Sequence, residues 1–165
     1  MRLANTKLLT LEQAIEQRAA LRQAGQTMVM TNGCFDLLHA GHIYYLQAAK
    51  QLGDQLWLLI NSDTSIRQLK GPNRPIESEA ERAYCLAALG CIDRIIIFNT
   101  PRIINEIKQL RPDIYTKAGD YTIETLHQGE RAALDVVGAQ IKFLPFLKGF
   151  STTKRIAKIN QADAI

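Results

Sequence analysis

The chain has 165 residues with a net charge of +4, and 47% of the residues are hydrophobic and 22% charged. This composition predicts one globular domain, 1–165, whose dispersed basic residues argue against a nucleic-acid-binding surface. No apolar run approaches the roughly 20 residues of a membrane helix, and the N-terminus lacks the apolar core of a signal peptide, so we expect a cytoplasmic protein that does not bind membranes. The three cysteines lack CxxC spacing, which predicts neither a disulfide framework nor a structural zinc site.

Predicted helices and strands alternate along the chain. Thr10 and Gln13 form a capping box before a helix that Gly25 ends, and this N-terminal segment, 1–25, is expected to pack on the domain. The predicted elements are helix 11–24, strand 27–31, helix 43–52, strand 55–60, polar loop 61–75, helix 79–89, strand 94–98, helix 101–110, strand 114–117, one or two helical turns within 123–137, strand 140–144 and helix 152–160. Apolar strands that alternate with helices predict an α/β fold with a doubly wound, mostly parallel five-stranded sheet.

Ligands of such sheets bind beyond the carboxyl ends of the strands, near the point where the strand order reverses. The segments that follow the predicted strands should therefore meet at one rim. These segments are 32–42, 61–74, 98–100 and 117–120.

The most informative of them, 32–42, reads Asn-Gly-Cys-Phe-Asp-Leu-Leu-His-Ala-Gly-His. Its histidines stand at a predicted helix start, where unpaired N–H groups and the helix dipole favour an anion. Gly41 lets a phosphate approach the backbone, and His39 and His42, three residues apart, can both donate N–H bonds to phosphate oxygens. The pattern therefore predicts a phosphate site. A zinc site is disfavoured because no Glu lies between the histidines and no nearby ligand pair completes a tetrahedron, so we predict no metal held by side chains.

The same segment carries a family resemblance. His39-Ala40-Gly41-His42 matches the His-x-Gly-His signature of the nucleotidyltransferase superfamily, and the longer string 31–42 is similar to its cytidylyltransferase-like branch. This resemblance implies a Rossmann-like nucleotidyltransferase fold. It also implies an enzyme in which an ionised phosphate attacks the α-phosphorus of a nucleoside triphosphate and expels pyrophosphate. Such chemistry needs positioning and cations more than a strong base.

Two later segments extend the resemblance. Segment 117–121 reads Lys-Ala-Gly-Asp-Tyr and is similar to the family's Gly-Gly-Asp-Tyr segment near the nucleotide, with Ala118 in place of the first glycine. Segment 151–153, Ser-Thr-Thr, is similar to the element that closes over the triphosphate at the start of the last helix.

The resemblance assigns roles to residues of this chain. The predicted catalytic residues are His39, His42 and Lys70, the last of which would reach the α-phosphate. The predicted nucleotide-binding residues are Asn32, Gly33, Phe35, Gly41, Lys117, Gly119, Asp120, Ser151, Thr152 and Thr153. The predicted sugar-phosphate-binding residues are Asp36, Asp63, Arg74 and Arg82, because a guanidinium fork matches phosphate geometry.

Taken in order, these motifs and the segment Leu69-Lys70-Gly71 with Arg74-Pro75 resemble one enzyme family most closely, the D-glycero-β-D-manno-heptose 1-phosphate adenylyltransferases. The substrates implied are ATP and a heptose 1-phosphate, and the products are ADP-heptose and pyrophosphate for the lipopolysaccharide core. The triphosphate would hold Mg²⁺. The resemblance also implies a homodimer. Some relatives carry a fused sugar kinase, and we expect a stand-alone enzyme with a separate heptose kinase acting upstream in the pathway.

Two alternatives stay open on sequence alone. One is a cytidylyltransferase acting on glycerol 3-phosphate or another small phosphate, because no visible side chain reads the base. The other is a non-catalytic nucleotide-binding module, which intact His39, His42 and Lys70 disfavour.

Overall fold

The computed structural model describes residues 6–119, 121–145, 147, 149–153, 155, 156 and 158. These residues form one parallel sheet of six strands in the order β1-β4-β3-β2-β5-β6. The strands are β1 (Leu8–Leu9), β2 (Met28–Gly33), β3 (Gln55–Asn61), β4 (Arg94–Phe98), β5 (Ile114–Ala118) and β6 (Gln140–Leu144). The helices are α1 (Leu11–Gln23), α2 (Ala40–Lys50), α3 (Asp63–Lys70), α4 (Glu79–Ala87), α5 (Ile104–Leu110) and α6 (Gln128–Val137).

Both faces of the sheet are covered, because successive strand side chains point to opposite sides. Met28 and Met30 of β2 pack in the core beneath α1, α5 and α6. Val29, which lies between them, packs in the core beneath α2 and α4. The sheet is therefore doubly wound, as the sequence predicts.

The strand order reverses beside β2. The chain runs outward from β2 through β3 to β4 and then returns to place β5 on the other side of β2. This reversal opens a crevice at the carboxyl ends of β2 and β5, which is the usual ligand position in open parallel sheets.

The predicted strand count is wrong by one. Leu8 and Leu9 add the short strand β1, which pairs in parallel with β4 at the sheet edge. Two apolar residues are too few to show the alternation or run length by which a strand is recognised in sequence. The capping box of Thr10 and Gln13 is confirmed, and Ala14 and Leu21 of α1 are buried against the sheet.

The predicted loop 61–75 is also corrected, because it contains helix α3. The Ser62 hydroxyl accepts a hydrogen bond from the Ser65 N–H at the helix start, and Gly71 ends the helix at φ 91°. Ile66 is the buried apolar side chain of this helix, so the helical periodicity is faint in the sequence. The correction places Lys70 in the last turn of a helix.

Smaller corrections concern helix starts. Helix α5 begins at Ile104, three residues after the predicted Pro101. Helix α2 begins at Ala40, three residues before the predicted start. Of the predicted last helix, Thr152, Thr153, Arg155, Ile156 and Lys158 are helical, while its remaining positions lie outside the described residues.

No helix in the described part of the chain combines the length and apolar character needed to cross a membrane.

Candidate active site

A cleft of about 1010 Å³ lies at the carboxyl ends of β2 and β5. It receives residues from the ends of several strands and from two helices. Its lining residues are Asn32, Gly33, Cys34, Phe35, His42, Tyr45, Asn61, Leu69, Lys70, Pro101, Arg102, Lys117, Ala118, Gly119, Tyr121 and Pro145.

The two histidines form the start of α2. His39 is the N-cap residue, and its Nδ1 accepts a hydrogen bond from the His42 N–H at 3.3 Å. This bond leaves the N–H of a neutral His39 ring on Nε2. The imidazole rings stack with their centroids 3.8 Å apart and 11° between their planes.

His42 is the histidine that lines the cleft, and its ring is held in the neutral form. Burial lowers its pKa to about 4, and the positive charges of His39, Lys70 and Arg155 add to this shift. Its Nδ1 is buried without a hydrogen-bond partner among the described residues. The ring is therefore a neutral group with an unused nitrogen beside a helix N-terminus.

Gly41 is required by close packing. A Cβ atom at this position would lie 3.0 Å from the Phe150 Cβ and 3.1 Å from the His39 ring. Phe150 thus covers the first turn of α2 from above, directly before the Ser-Thr-Thr segment.

Asp36 fixes the loop between β2 and α2. Its buried carboxylate accepts hydrogen bonds from the Ile76 and Glu77 N–H groups and from Arg74 Nε at 2.7 Å. Arg74 Nη2 lies 2.6 Å from the same carboxylate. Burial raises the pKa of Asp36, but the hydrogen bonds from Glu77, Ile76 and Arg74 outweigh burial, and the net shift is downward.

This anchor stabilises an unusual backbone. Phe35 and Leu37, on either side of Asp36, have φ values of 51° and 52°, a region that side chains other than glycine rarely adopt. The Leu37 N–H donates to Glu77 Oε2 at 3.0 Å. The Asp36 carbonyl accepts the Thr152 hydroxyl at 2.9 Å, which joins the Ser-Thr-Thr segment to the same loop.

Arg82 is buried and connects three parts of the chain through hydrogen bonds and an ion pair. Its guanidinium donates to the carbonyls of Glu77 and Cys34 and to Asp63 Oδ1 at 2.8 Å. Its side chain is 0% exposed. Arg82 and Asp63 therefore hold α4 and α3 against the loop, and the geometry favours a positioning role over the predicted contact with a sugar phosphate.

Lys117 lies at the end of β5 on the floor of the cleft. Its ammonium donates to Asn32 Oδ1 at 2.7 Å, and the Tyr115 hydroxyl donates to the same oxygen. Burial lowers the pKa of Lys117 to about 8, with Glu130 opposing this shift and Arg102 adding to it. The ammonium is thus positioned by the two strands that flank the reversal of strand order.

The structure brings part of the predicted site together in the cleft. His42, Lys70 and Lys117 line one cleft with the predicted glycines Gly33 and Gly119. His39, Gly41 and Asp36 lie behind this lining and shape it. Arg74, Arg82 and Asp63 are engaged in internal contacts, and Asp120 lies outside the described residues.

The sequence reasoning missed several lining residues, namely Tyr45, Asn61, Arg102 and Tyr121. Asn61 already lies in the predicted rim segment 61–74, although no role was assigned to it. Arg102 follows β4 by four residues, so extending rim segment 98–100 by two residues would have included it. Tyr45 gives no such signal, because it lies inside helix α2 and not in a segment that follows a strand. Its buried hydroxyl makes hydrogen bonds with Thr31 Oγ1 and Thr116 Oγ1 at 2.6 and 2.8 Å.

Comparison with known proteins settles the family. Residues 30–158 match the family described as Cytidylyltransferase-like. The chain belongs to the cytidylyltransferase-like family. The match spans the loop with both histidines, the cleft and the Ser-Thr-Thr segment, which confirms the family predicted from the sequence.

Within this family, the chain is similar to proteins named bifunctional protein HldE. It is 50% identical to that of Syntrophotalea carbinolica over 84% of its own length and 28% of the relative's. It is 46% identical to that of Geobacter sulfurreducens over 87% of its own length and 29% of the relative's. The chain therefore spans less than a third of these relatives.

Solved structures agree on the fold. A lipopolysaccharide core biosynthesis protein from Thermoplasma volcanium superposes with a TM-score of 0.62 at 29% identity, over 76% of this chain and all of that one. A pantoate-beta-alanine ligase from Francisella tularensis superposes with a TM-score of 0.57 at 14% identity, over 97% of this chain and 78% of that one. The second similarity concerns the fold alone.

We predict that Asp36→Asn lowers the free energy of unfolding by roughly 3 kcal/mol, as expected when one partner of a buried ion pair is removed. The new amide N–H₂ would face either Arg74 or the N–H donors of Ile76 and Glu77. Urea denaturation measures the loss. The matched control is Asp93→Asn, whose carboxylate is 27% exposed, pairs with Lys50 and also accepts the Leu56 N–H. The loss there should be smaller, about 1 kcal/mol, because water screens the pair. Equal losses at both sites would contradict the anchoring role.

We also predict that the free energy of unfolding falls as the pH is lowered from 6.5 toward 4. Over this range the unfolded chain protonates His42 at its ordinary pKa, whereas folding holds the pKa near 4. The unfolded state therefore binds more protons and gains stability. Urea titrations at several pH values, compared between wild type and His42→Gln, isolate this contribution. An identical pH dependence in the two proteins would contradict a buried neutral imidazole.

Proposed function

We propose that the chain catalyses transfer of AMP from ATP to D-glycero-β-D-manno-heptose 1-phosphate, giving ADP-heptose and pyrophosphate. The observation that carries the proposal is the histidine pair at the start of α2, which opens onto the cleft where the strand order reverses. The motif order resembles the heptose 1-phosphate adenylyltransferases, and the similarity to the HldE proteins and to a lipopolysaccharide core biosynthesis protein supports the same substrate class.

The reaction is a displacement at the α-phosphorus. A phosphate oxygen of the sugar 1-phosphate forms the new bond to phosphorus, the bond to the bridging oxygen of the β-phosphate breaks, and its electron pair leaves with pyrophosphate. The nucleophile is already ionised, so the protein's task is to align the two phosphates and stabilise the charge that develops.

The start of α2 binds the leaving pyrophosphate in this proposal. Free N–H groups and the helix dipole attract the anion there, and His42 faces the cleft beside them. A neutral imidazole can donate one N–H bond to a phosphate oxygen, and the bound negative charge would raise its pKa. Phe150 and the Ser-Thr-Thr segment, fixed through the Asp36 carbonyl, would close this end of the cleft.

Lys70 supplies an exposed positive charge in this proposal. It lies exposed in the last turn of α3, immediately before Gly71 at φ 91°, and lines the cleft. Its ammonium would reach the α-phosphate, where charge accumulates in the transition state. Such an interaction raises kcat because it is stronger in the transition state than in the ground state.

Mg²⁺ is proposed to enter with the triphosphate. The described lining of the cleft contains no Asp or Glu side chain, and no group of three or more His, Cys, Asp or Glu among the described residues could hold a metal ion. A hard cation would therefore take its ligands from phosphate oxygens and water, and would neutralise part of the triphosphate charge.

Two partners complete the proposal. A sugar 1-phosphate would be supplied by a kinase-type reaction, and the family resemblance implies a separate heptose kinase upstream in the pathway. The relatives' names describe them as bifunctional, which is compatible with a second activity in their remaining length. A homodimer is proposed from the family resemblance.

We predict that ATP supports turnover at least tenfold better than CTP with heptose 1-phosphate, and that Mg²⁺ is required. A tenfold preference needs only about 1.4 kcal/mol of differential transition-state binding. Pyrophosphate release, measured with both nucleotides and with heptose 1-phosphate or glycerol 3-phosphate, tests the proposal. His42→Ala, which should lose on the order of 100-fold in rate, shows that the activity belongs to this cleft. A preference for CTP and glycerol 3-phosphate would establish the cytidylyltransferase alternative, and no release with any pair would favour a non-catalytic module.

We predict that Lys70→Ala lowers kcat by roughly 100-fold and changes the KM for ATP much less. Arg67→Ala is the matched control, because Arg67 is an exposed cation on the same helix that does not line the cleft. Steady-state kinetics on the two folded variants make the comparison. A raised KM with unchanged kcat would mean that Lys70 only anchors the bound triphosphate.

A further inference from the structure

The internal contacts of Arg74 and Arg82 leave the acceptor phosphate without its predicted arginines. Arg74 is paired with Asp36, and Arg82 is held by Asp63 and two backbone carbonyls. A dianionic sugar phosphate in a partly desolvated cleft still needs a cationic donor. The described lining of the cleft offers three long cationic side chains, Lys70, Arg102 and Lys117.

Arg102 is exposed and free to bind. Its guanidinium makes no hydrogen bond or ion pair with any residue in the described part of the chain. Its backbone, in contrast, is fixed. The Arg102 carbonyl accepts the Thr100 hydroxyl at 2.7 Å, and the next N–H, of buried Ile103, donates to Glu130 Oε1. A planar five-donor group on an anchored loop is suited to bidentate binding of phosphate.

Lys117 is a second cation near Arg102, and the nearby Glu130 carboxylate offsets part of the positive charge. Lys117 lies in the same cleft and is close enough for the Arg102 charge to lower the pKa of its ammonium. Two cations that repel each other in the empty cleft are both stabilised when a negatively charged phosphate lies between them.

The layers of the fold indicate which phosphate this is. Helix α2, with the pyrophosphate site at its start, covers one face of the sheet. Arg102 directly precedes Ile103, which packs with α5 and α6 on the opposite face. An in-line displacement requires the attacking and leaving oxygens to lie on opposite sides of the α-phosphorus. A leaving group on the α2 side therefore places the attacking phosphate on the side of Arg102.

We propose that Arg102 binds the phosphate group of the sugar 1-phosphate acceptor, with Lys117 beside it, and so positions the attacking oxygen. This inference rests on the proposed function for the identity of the acceptor. In this proposal Arg102 is a substrate-binding residue, whereas Arg74 and Arg82 stabilise the loop between β2 and α2.

Initial-rate kinetics on Arg102→Ala test the proposal. We expect the KM for heptose 1-phosphate to rise roughly 10- to 100-fold, as for the loss of a charge-assisted hydrogen-bonded pair, while the KM for ATP changes less than threefold. Arg102→Lys should recover part of the loss, because it restores the charge without the fork. The matched control is Arg131→Ala, an exposed arginine on α6 outside the cleft lining, which should behave as wild type.

Two results would overturn the proposal. A rise confined to the KM for ATP would make Arg102 a triphosphate ligand, and unchanged kinetics would make it a solvated surface residue. If wild type does not use heptose 1-phosphate, the proposed function fails first, and the anion site is tested separately. Calorimetric titration with inorganic phosphate, in the presence of Mg²⁺ and an ATP analogue that cannot be cleaved between the α- and β-phosphates, then compares wild type with Arg102→Ala. A tenfold weaker affinity in the variant supports the site, and equal affinity or no binding by wild type rejects it.

Discussion

The carboxylate of Asp36 is the constraint on which the site depends. It receives the side chain of Arg74 and two N–H groups of segment 76–77, and it lies between two residues in the left-handed region. Each strained residue costs about 1–3 kcal/mol. Each hydrogen bond to a charged group contributes about 1.5–3 kcal/mol, so three donors can offset two strained positions. Without these hydrogen bonds, nothing would offset the strain of the loop that connects β2 to the two histidines.

The same residue joins three distant parts of the chain. Its side chain holds the segment after α3, and its carbonyl holds Thr152 at the start of the last helix. Segment 76–77 follows Lys70 in the chain, and Thr152 follows Phe150. Both sides of the cleft are therefore connected to the same buried residue, Asp36. This geometry holds residues more than a hundred positions apart in sequence at one loop, where the proposed function requires them to act on one triphosphate.

The fold and the position of the two histidines at a helix start could be predicted from the sequence, because both leave local signals. Apolar strands that alternate with helices indicate a parallel sheet, and a strand, a glycine loop and two histidines mark a helix-start anion site. The internal contacts of Arg74, Arg82 and Asp63 could not be predicted, because an arginine paired internally and an arginine that binds a ligand look the same in sequence. Only the burial of Arg82 and the partners of its guanidinium separate the two cases. The position of Arg102 in the cleft was also missed, because an exposed arginine after a proline cannot be distinguished in sequence from an ordinary surface arginine.

The cleft also limits its own positive charge before a ligand arrives. A set of fully charged cations around an empty, partly buried space would repel one another and lose hydration. Here burial keeps His42 neutral and lowers the pKa of Lys117 to about 8, while Lys70 and Arg102 remain exposed to water. In the proposed complex, a bound phosphate would raise both pKa values, because its negative charge favours the protonated forms. Lys117, with a pKa of about 8, is already mostly protonated at neutral pH. In the proposed complex, the group that would gain positive charge is therefore the imidazole of His42, which burial keeps neutral in the free cleft.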